Sequence, residues 1–513
     1  MDKTEFTASS RRSLSRPLLL IIAFLSLATW RTSPLSTARA NQRPLDQRPP
    51  DVVLILADDL AWSDLGCYDH PWHETPNLDR LANSGMRFTN AYASAPICSA
   101  SRASLLTGKT TARLGFEFVT KNAAGSQSID QPTLLHAPPF QLNLQLNHRT
   151  IAEVLHPYGY QSTFAGKWHL NAHHGGYLGW SPTHGPASQG FDGTINDFGS
   201  HPYAWNEKKP SVKRKLGEFP TDSLIQKICQ SIESAEDDSM RFHLASLYHV
   251  HTPVKTTCQW LIEKYESKIP KHSPARERRI RYAAFVETLD HHVGQILQSV
   301  DRVSVNKETL VIFTSDNGGH PEHTANGPLR GSKWNLYEGG IRVPMIARWP
   351  GKTPKQSVCD QPVVGYDILP TLLELCHQDS SDPNLDANID GESFANALLG
   401  KEARKEKGEH QREIIWHFPY YHPETGYAAA IEEIGVSDFK VSKTHPHSAI
   451  RIGRNKLLWF PETDRVELYD LEADISESKD LSEQKPEVAD RLTTRLKEYL
   501  SEVDARLATP PRS

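Results

Sequence analysis

Residues 51–59 read Asp-Val-Val-Leu-Ile-Leu-Ala-Asp-Asp. Val52 to Leu56 is a short, continuous apolar run rich in β-branched side chains. That is the pattern of a strand buried on both faces, as in a parallel sheet. Asp58 and Asp59 follow it directly. A second stretch repeats the design: Leu310 to Phe313 is a buried-strand run, and Asp316-Asn317-Gly318-Gly319 comes soon after it. In an open parallel sheet, ligands bind beyond the carboxyl ends of the strands, so both oxygen-rich pairs are expected on one edge. Three carboxylates and an amide, with no soft ligand, suit Ca²⁺ or Mg²⁺ rather than Zn²⁺. Either pair taken alone reads more simply as a turn or a helix cap.

Working outward, Asn77 to Gly85 reads as a helix with a Gly stop, and Thr150 to Leu155 starts another. Ser162 to Ala165 leads into a motif, and Phe242 to Leu247 reads as a strand. Arg276 to Val300 has the apolar spacing of a long amphipathic helix, and Val363 to Leu375 reads as a helix. Residues 115–147 and 171–215, rich in Gly, Pro, Asn and His, read as long surface loops. Strands alternating with helices predict an α/β fold over most of the chain. A polar stretch at 378–412 is the expected boundary zone. Beyond it, Ile414–Trp416, Ala449–Arg451, Lys456–Phe460 and Glu467–Tyr469 suggest a small antiparallel sheet, closed by a helix over Pro486–Leu500. The expected division is a leader at 1–40, a catalytic part at 41–400 and a smaller α+β part at 401–513.

The chain has 513 residues, 38% hydrophobic and 23% charged, which excludes global disorder. No repeat period suggests a solenoid or propeller. A formal charge of −5 argues against nucleic acid as a partner. Arg11, Arg12 and Arg16 precede an apolar run from Leu18 to Trp30, and Ala38-Arg39-Ala40 supplies a cleavage site. This reads as an export signal cut near Ala40, by the general or the twin-arginine route, giving a periplasmic or secreted protein without a membrane span. Cleavage removes six basic and two acidic side chains, leaving a more acidic protein. Such a chain must concentrate positive charge locally if it handles an anion. The six cysteines, at 67, 98, 229, 258, 359 and 376, have long spacings and no C-x-x-C. That excludes a disulfide scaffold or zinc site and leaves any pairing open.

Pro96-Ile97-Cys98-Ser99-Ala100-Ser101-Arg102, continued by Ala103 to Gly108, suggests a helix starting near Cys98. Cys98 and Arg102, four apart, share one helix face. A helix N-terminus with an Arg suits an anion and is expected to depress the thiol pKa. A lone Cys is otherwise a small buried apolar residue.

Cys98-x-Ala100-Ser101-Arg102 followed by Leu105-Leu106-Thr107-Gly108 resembles the signature of the type I sulfatases, the arylsulfatase family. In that family a generating enzyme oxidises this Cys to Cα-formylglycine, reading the Cys, the residue two later and the Arg. Asp58-Asp59 and Asp316-Asn317 match the family's two metal-ligand pairs, with the modified Cys98 as a further ligand. Gly166-Lys167-Trp168-His169-Leu170 matches another block. His249-Val250-His251-Thr252-Pro253 resembles the segment carrying a sulfate-contacting His, read here as His251, with His249 the alternative. Lys333, ahead of Tyr337-Glu338-Gly339-Gly340, matches a sulfate-binding Lys, and Leu468-Tyr469-Asp470-Leu471 resembles the family's C-terminal block. The resemblance spans about residues 51–500 and implies an alkaline-phosphatase-like sandwich: a large mixed central sheet flanked by helices, plus a smaller C-terminal antiparallel sheet with a helix. Each match has a plainer reading. Lys167 and His169, two apart, would share a face on a strand. Lys333 sits near Arg330 and Arg342, which in the plainer reading pair with acids. His173, His174, Trp416, His417 and His422 are either cleft residues or core and surface ones.

The resemblance further implies one Ca²⁺, with Mg²⁺ second, and a reaction cycle. The hydrated Cys98 aldehyde attacks sulfur with Asp316 as base, and His251, with Lys333, protonates the leaving alcohol. His169 then takes the proton that expels sulfate, while Arg102 and Lys167 hold the diol. Substrates would be sulfated glycans, with aryl sulfates as small-molecule substrates, and selectivity is expected in the 115–147 and 171–215 loops and the small domain. A phosphonate monoester hydrolase or phosphodiesterase is the alternative within the superfamily. A non-catalytic sulfated-glycan binder is the alternative outside it.

Overall fold

A computed structural model describes residues 48–205, 214–234, 239–304, 308–377, 388–401, 411–422 and 426–511. The predicted leader at 1–40 lies outside them. From Pro49 on, the described residues form one compact unit, Pro49–Ser513.

The Asp51–Ala57 strand is buried at every position, and the burial alternates between two cores. Val52, Leu54 and Leu56 belong to one apolar cluster, Val53, Ile55 and Ala57 to another. The Thr309–Ser315 strand divides the same way, with Leu310 and Ile312 on one side and Val311 and Phe313 on the other. This double burial accounts for the unbroken apolar runs, since neither face meets water. Each such Val, Leu or Ile contributes about 1.5–3 kcal/mol of transfer free energy.

These strands lie in an eight-stranded sheet. Its order is Gly193–Ile195, Tyr160–Gly166, Met240–Ser246, Asp51–Ala57, Thr309–Ser315, Met345–Arg348, Met86–Phe88 and Ser357–Cys359. The first five run parallel. Met345–Arg348 runs against both of its neighbours, so the sheet is mixed. The Pro76–Asn83, Ser223–Glu233 and Arg276–Val303 helices supply the core on one face. The Cys98–Thr107, Ile151–Leu155 and Ile368–His377 helices supply it on the other.

Four strands, Glu413–Phe418, His447–Ile452, Asn455–Phe460 and Arg465–Asp470, form an antiparallel sheet in sequence order. One face packs Ile415, Ile450, Leu457 and Leu468 against Leu492 and Leu496 of the Pro486–Glu502 helix. The other packs Trp416, Phe418 and Leu458 against Ile97, Ala100 and Trp334. The small sheet thereby buttresses the helix that begins at Cys98.

Two expectations are corrected. Val363–Leu375 is not one helix: Val363–Val364 is a short strand beside Ala91–Tyr92, and the α-helix begins at Ile368. The Asp367 carboxylate accepts from Val364 N (2.8 Å) and caps the turn where extension ends. The 171–215 stretch is not loop throughout, because Gly193–Ile195 is the sheet's edge strand; three residues are too few to show alternation. All six cysteines are unpaired. Among the described residues no helix is long and apolar enough to cross a membrane.

Candidate active site

Register sets the site. Leu56 stands beside Ser246 and Thr314, and Gly166 beside Ser246, so four parallel strands end at one level. Their continuations carry Asp58-Asp59, Lys167 to His169, His249 to His251, and Asp316-Asn317 to a common edge. Gly166 is required by close approach: φ is +93° and a Cβ there would sit 2.1 Å from Ser246 O. That turn ends the strand before Lys167, so Lys167 and His169 do not share a strand face as expected. Lys167 N instead donates to Ser246 O (2.8 Å), and His169 takes φ +56°.

The Cys98–Thr107 helix enters this edge from the other side and is buried along its whole length. Ser99, Ala100, Ser101, Ala103 and Ser104 are small enough to let it in. Cys98 Sγ lies 3.5 Å from Asp58 Oδ1 and 3.8 Å from Asp59 Oδ1. One turn on, Arg102 Nε and Nη2 reach Asp316 Oδ2 at 2.8 and 2.7 Å. Its Nη1 donates to Lys167 O (2.8 Å) and to the Ser246 hydroxyl. Lys167 Nζ donates to Asp58 Oδ2 (2.5 Å) and Lys333 Nζ to Asp59 Oδ2 (2.7 Å). Asn317 Nδ2 donates to Asp59 Oδ1 (2.7 Å). Positive charge is thus concentrated within an acidic chain.

His249 and His251 part company here. The His251 Nε2 atom is 3.7 Å from Asp59 Oδ2. His249 turns away, its ring 4.5 Å from Phe285 and 5.1 Å from His292. His251 Nδ1 lies 2.7 Å from Thr252 O and 2.8 Å from Tyr203 Oη. A carbonyl only accepts, so Nδ1 carries a proton and Nε2 is the atom presented to the site. His169 is 7% exposed and its Nδ1 has no hydrogen-bond partner.

The electrostatics follow from burial and charge. For Asp59, burial acts upward but is outweighed by Lys333, then His251 and Lys167, which hold its carboxyl well below the usual range. Asp316 is raised to about 6 by burial and by Asp58, against Arg102. His169 and His251 are both pushed well down, first by burial and then by Lys167. The Cys98 thiol is not depressed as expected. Burial pushes it well up, and the nearby Asp316 and Asp58 carboxylates add to that against Lys167 and Lys333. A helix N-terminus does not overcome desolvation at 1% exposure.

The residues fit a hard divalent cation. Ligand-capable atoms of Asp58, Asp59, Cys98 and His251 lie within 4.8 Å of one another. Asp316 shares the cluster through its Oδ1, which accepts from Asp59 N (3.1 Å). Asn317 Oδ1 is buried with no hydrogen-bond partner, a costly state that a cation would relieve. The donors are mostly hard oxygens, as Ca²⁺ or Mg²⁺ requires.

Other candidates are placed as follows. Trp416 is core, its Nε1 donating to Ala93 O (2.9 Å), and His417 is buried between Ser448 Oγ and Arg506 O. His422 packs on Trp334 at 4.7 Å. His173 lies beside His169 at 5.9 Å, while His174 is exposed. Sequence reasoning does not single out Ser246 or Tyr203. The only signal for Ser246 is its place at a strand's carboxyl end, and Tyr203 gives none beyond the loop it occupies.

The chain is similar to proteins of known family. A family model described as Sulfatase matches residues 50–377. A second, described as N-sulphoglucosamine sulphohydrolase, C-terminal, matches residues 332–506. The N-acetylgalactosamine-6-sulfatase of Canis lupus familiaris is 32% identical over 380 residues, 69% of this chain and 66% of that protein. The match thus spans just under two thirds of that relative's length. A sulfatase of Formosa agariphila is 30% identical over 532 residues, 91% of each chain. The crystal structure of Ps i-CgsB in complex with k-i-k-neocarrahexaose superposes with a TM-score of 0.66 at 23% identity, covering 88% of this chain and 93% of that one, a likeness of fold. By sequence, fold and family model, the chain belongs to the sulfatase family.

Proposed function

We propose that this protein is an exported sulfuric ester hydrolase acting on sulfated glycans, with residues 41–400 as its catalytic part and 401–513 as its smaller C-terminal part. One observation carries the reading: Cys98 Sγ sits between the Asp58 and Asp59 carboxylates, with Lys167 and Lys333 bonded to those same carboxylates. Asp58, Asp59, Asp316 and Asn317 would hold a divalent cation, Ca²⁺ before Mg²⁺, beside a Cys98 converted to formylglycine. When present, the formylglycine supplies an oxygen nucleophile and the cation neutralises charge on the sulfate.

The chain's own side chains would do the rest. Lys167, Lys333 and His251 balance the sulfate oxygens and the charge that develops on them. Arg102 fixes Asp316 and the Lys167 carbonyl, holding two strand ends to the helix. His251, with Nδ1 committed to Thr252 O, donates from Nε2 to the departing alcohol once protonated. A bound sulfate favours that protonation by adding negative charge nearby. His169, with its Nδ1 unpartnered, is the base for product release. Cys98 is 1% exposed, so a formylglycine-generating enzyme must reach it before the fold closes.

The test is sulfate release from an aryl sulfate by protein from its native host, with and without a chelator, beside phosphate and phosphonate esters of the same leaving group. The reading predicts preference for the sulfate ester and loss of activity on chelation. Preference for a phosphonate or phosphodiester would overturn it in favour of the superfamily alternative.

A further inference from the structure

Beside the site, separated by one layer of side chains, lies a cleft of about 470 Å³. Its walls come from four distant stretches: Trp62 to His73, the first turns of the Arg276–Val303 helix, His323 to Pro328, and Ser437 with Phe439. Two of these continue directly from the proposed metal pairs, Asp58-Asp59 and Asp316-Asn317. The dividing layer is Tyr282, which donates to Asp64 Oδ2 (2.6 Å) and whose Oη stands 3.5 Å from Asp59 O.

The cleft's lining holds one cation, Arg279, and one carboxylate, the exposed Asp69. Arg279 has its guanidinium 5.0 Å from the Trp72 ring centre and 4.5 Å from that of Phe439. Its Nε donates to Pro274 O (2.9 Å). Among the described residues no carboxylate pairs with it, and burial alone, unopposed by any acid, lowers its pKa. A half-buried arginine with rings on two sides and no counter-ion is a prepared anion site. His323 also lines the cleft, stacked parallel to Tyr282 at 6.2 Å. Burial and then His320 push its pKa down to about 4, Arg278 and Arg281 add to that, and Asp59 opposes them. The volume falls in the range of small-ligand sites.

We propose that this cleft is a subsite for a second anionic group, a sulfate or a uronate carboxylate, on the sugar next to the one whose sulfate is cleaved, with Arg279 as its counter-ion. The inference rests on the sulfatase reading for its substrate class. It assigns selectivity to the Arg276–Val303 helix, outside the 115–147 and 171–215 loops, together with Ser437 and Phe439 of the small domain, where sequence reasoning also places it.

Calorimetric titration of the full-length protein and of Arg279→Gln tests it. The probes are a monosulfated hexosamine, a disaccharide adding a uronate to it, and a disulfated disaccharide. Hydrolysis of an aryl sulfate is assayed separately, so failure of the sulfatase reading is seen there and not in the binding data. The expected result is tighter binding of both dianionic disaccharides by the wild type. Arg279→Gln should weaken them about tenfold while leaving the monosulfated sugar and aryl sulfate turnover unchanged. Loss for only one disaccharide identifies whether sulfate or carboxylate is read. Equal affinity for mono- and dianionic sugars, no binding of any sugar, or equal weakening of all ligands in Arg279→Gln would overturn the proposal.

Discussion

Two buried clusters of charge lie within this fold, and they are built for opposite ends. In one, Glu338 Oε1 accepts from Lys456 (2.8 Å) and Oε2 from Arg342 (3.1 Å) and Tyr92 (2.8 Å). Glu477 lies 2.8 Å from the same Lys456 and takes the Glu338 amide at 2.6 Å. Lys456 is fully enclosed. Glu338 belongs to a sequence block that resembles a sulfatase motif, yet its partners are structural: Lys456 of the small sheet, Tyr92 of the Ala91–Tyr92 strand and Arg342 one turn on. In the other, Asp58, Asp59 and Asp316 meet Lys167, Lys333 and Arg102. There Asn317 Oδ1 and His169 Nδ1 are left without partners. In the first cluster every carboxylate oxygen faces a cation or a donor within 3.1 Å, Glu477 Oε1 through its ion pair with Lys456 alone, and this fixes geometry. The second keeps hydrogen-bonding capacity in reserve, which makes sense only if a ligand uses it.

The sharpest way to break the comparison is at Cys98. Cys98→Ala should reduce sulfate release on the order of 10⁴-fold or more while leaving the melting temperature unchanged. Activity near wild type would remove Cys98 from the chemistry. The reverse pattern is expected at Lys456. Lys456→Met strands Glu338 and Glu477 without their shared cation, a cost of about 3–5 kcal/mol, read as a lowered urea midpoint with kcat preserved in the folded fraction. If the variant is as stable as wild type, the cluster is not the clamp described.

A smaller effect is predicted at His251. His251→Asn should slow alkyl sulfates about 10²-fold more than nitrophenyl sulfate, because only the poor leaving group needs the proton. Equal losses on both substrates would leave His251 a binding residue alone. The smallest effect concerns pH. Burial raises Glu477 to about 7 from 4.5, with Glu338 also raising it against Lys456. A carboxyl raised in the folded state holds a proton that the unfolded chain releases. Stability from this group therefore falls as pH rises between about 4.5 and 7. Glu477→Gln should flatten that part of the melting-temperature profile, and an unaltered slope would assign the decline to other groups.

How much of this is legible in the sequence differs between the fold's parts. Val52–Leu56 and Leu310–Phe313 announce themselves because both faces are buried, and the residues after them fall on one edge by topology. Short strands such as Gly193–Ile195 and Met86–Phe88 do not, since three residues carry no periodicity. At the site, Cys98, Arg102, Lys167 and Lys333 are readable because each stands in a local motif. His251 is separated from His249 only by the loop that turns one toward Asp59 and the other toward Phe285. The thiol pKa is misread because burial, which outweighs the helix terminus, is not a local property. The Arg279 cleft is invisible in sequence for a related reason: its walls are hundreds of residues apart and no one of them carries a motif.

The most direct test of the central claim is mass spectrometry of the tryptic peptide Phe88 to Arg102, from protein purified from its native host and shown to release sulfate. The account predicts that the Cys98 thiol is replaced by an aldehyde in the active fraction. An active preparation in which every Cys98 remains a thiol would contradict it.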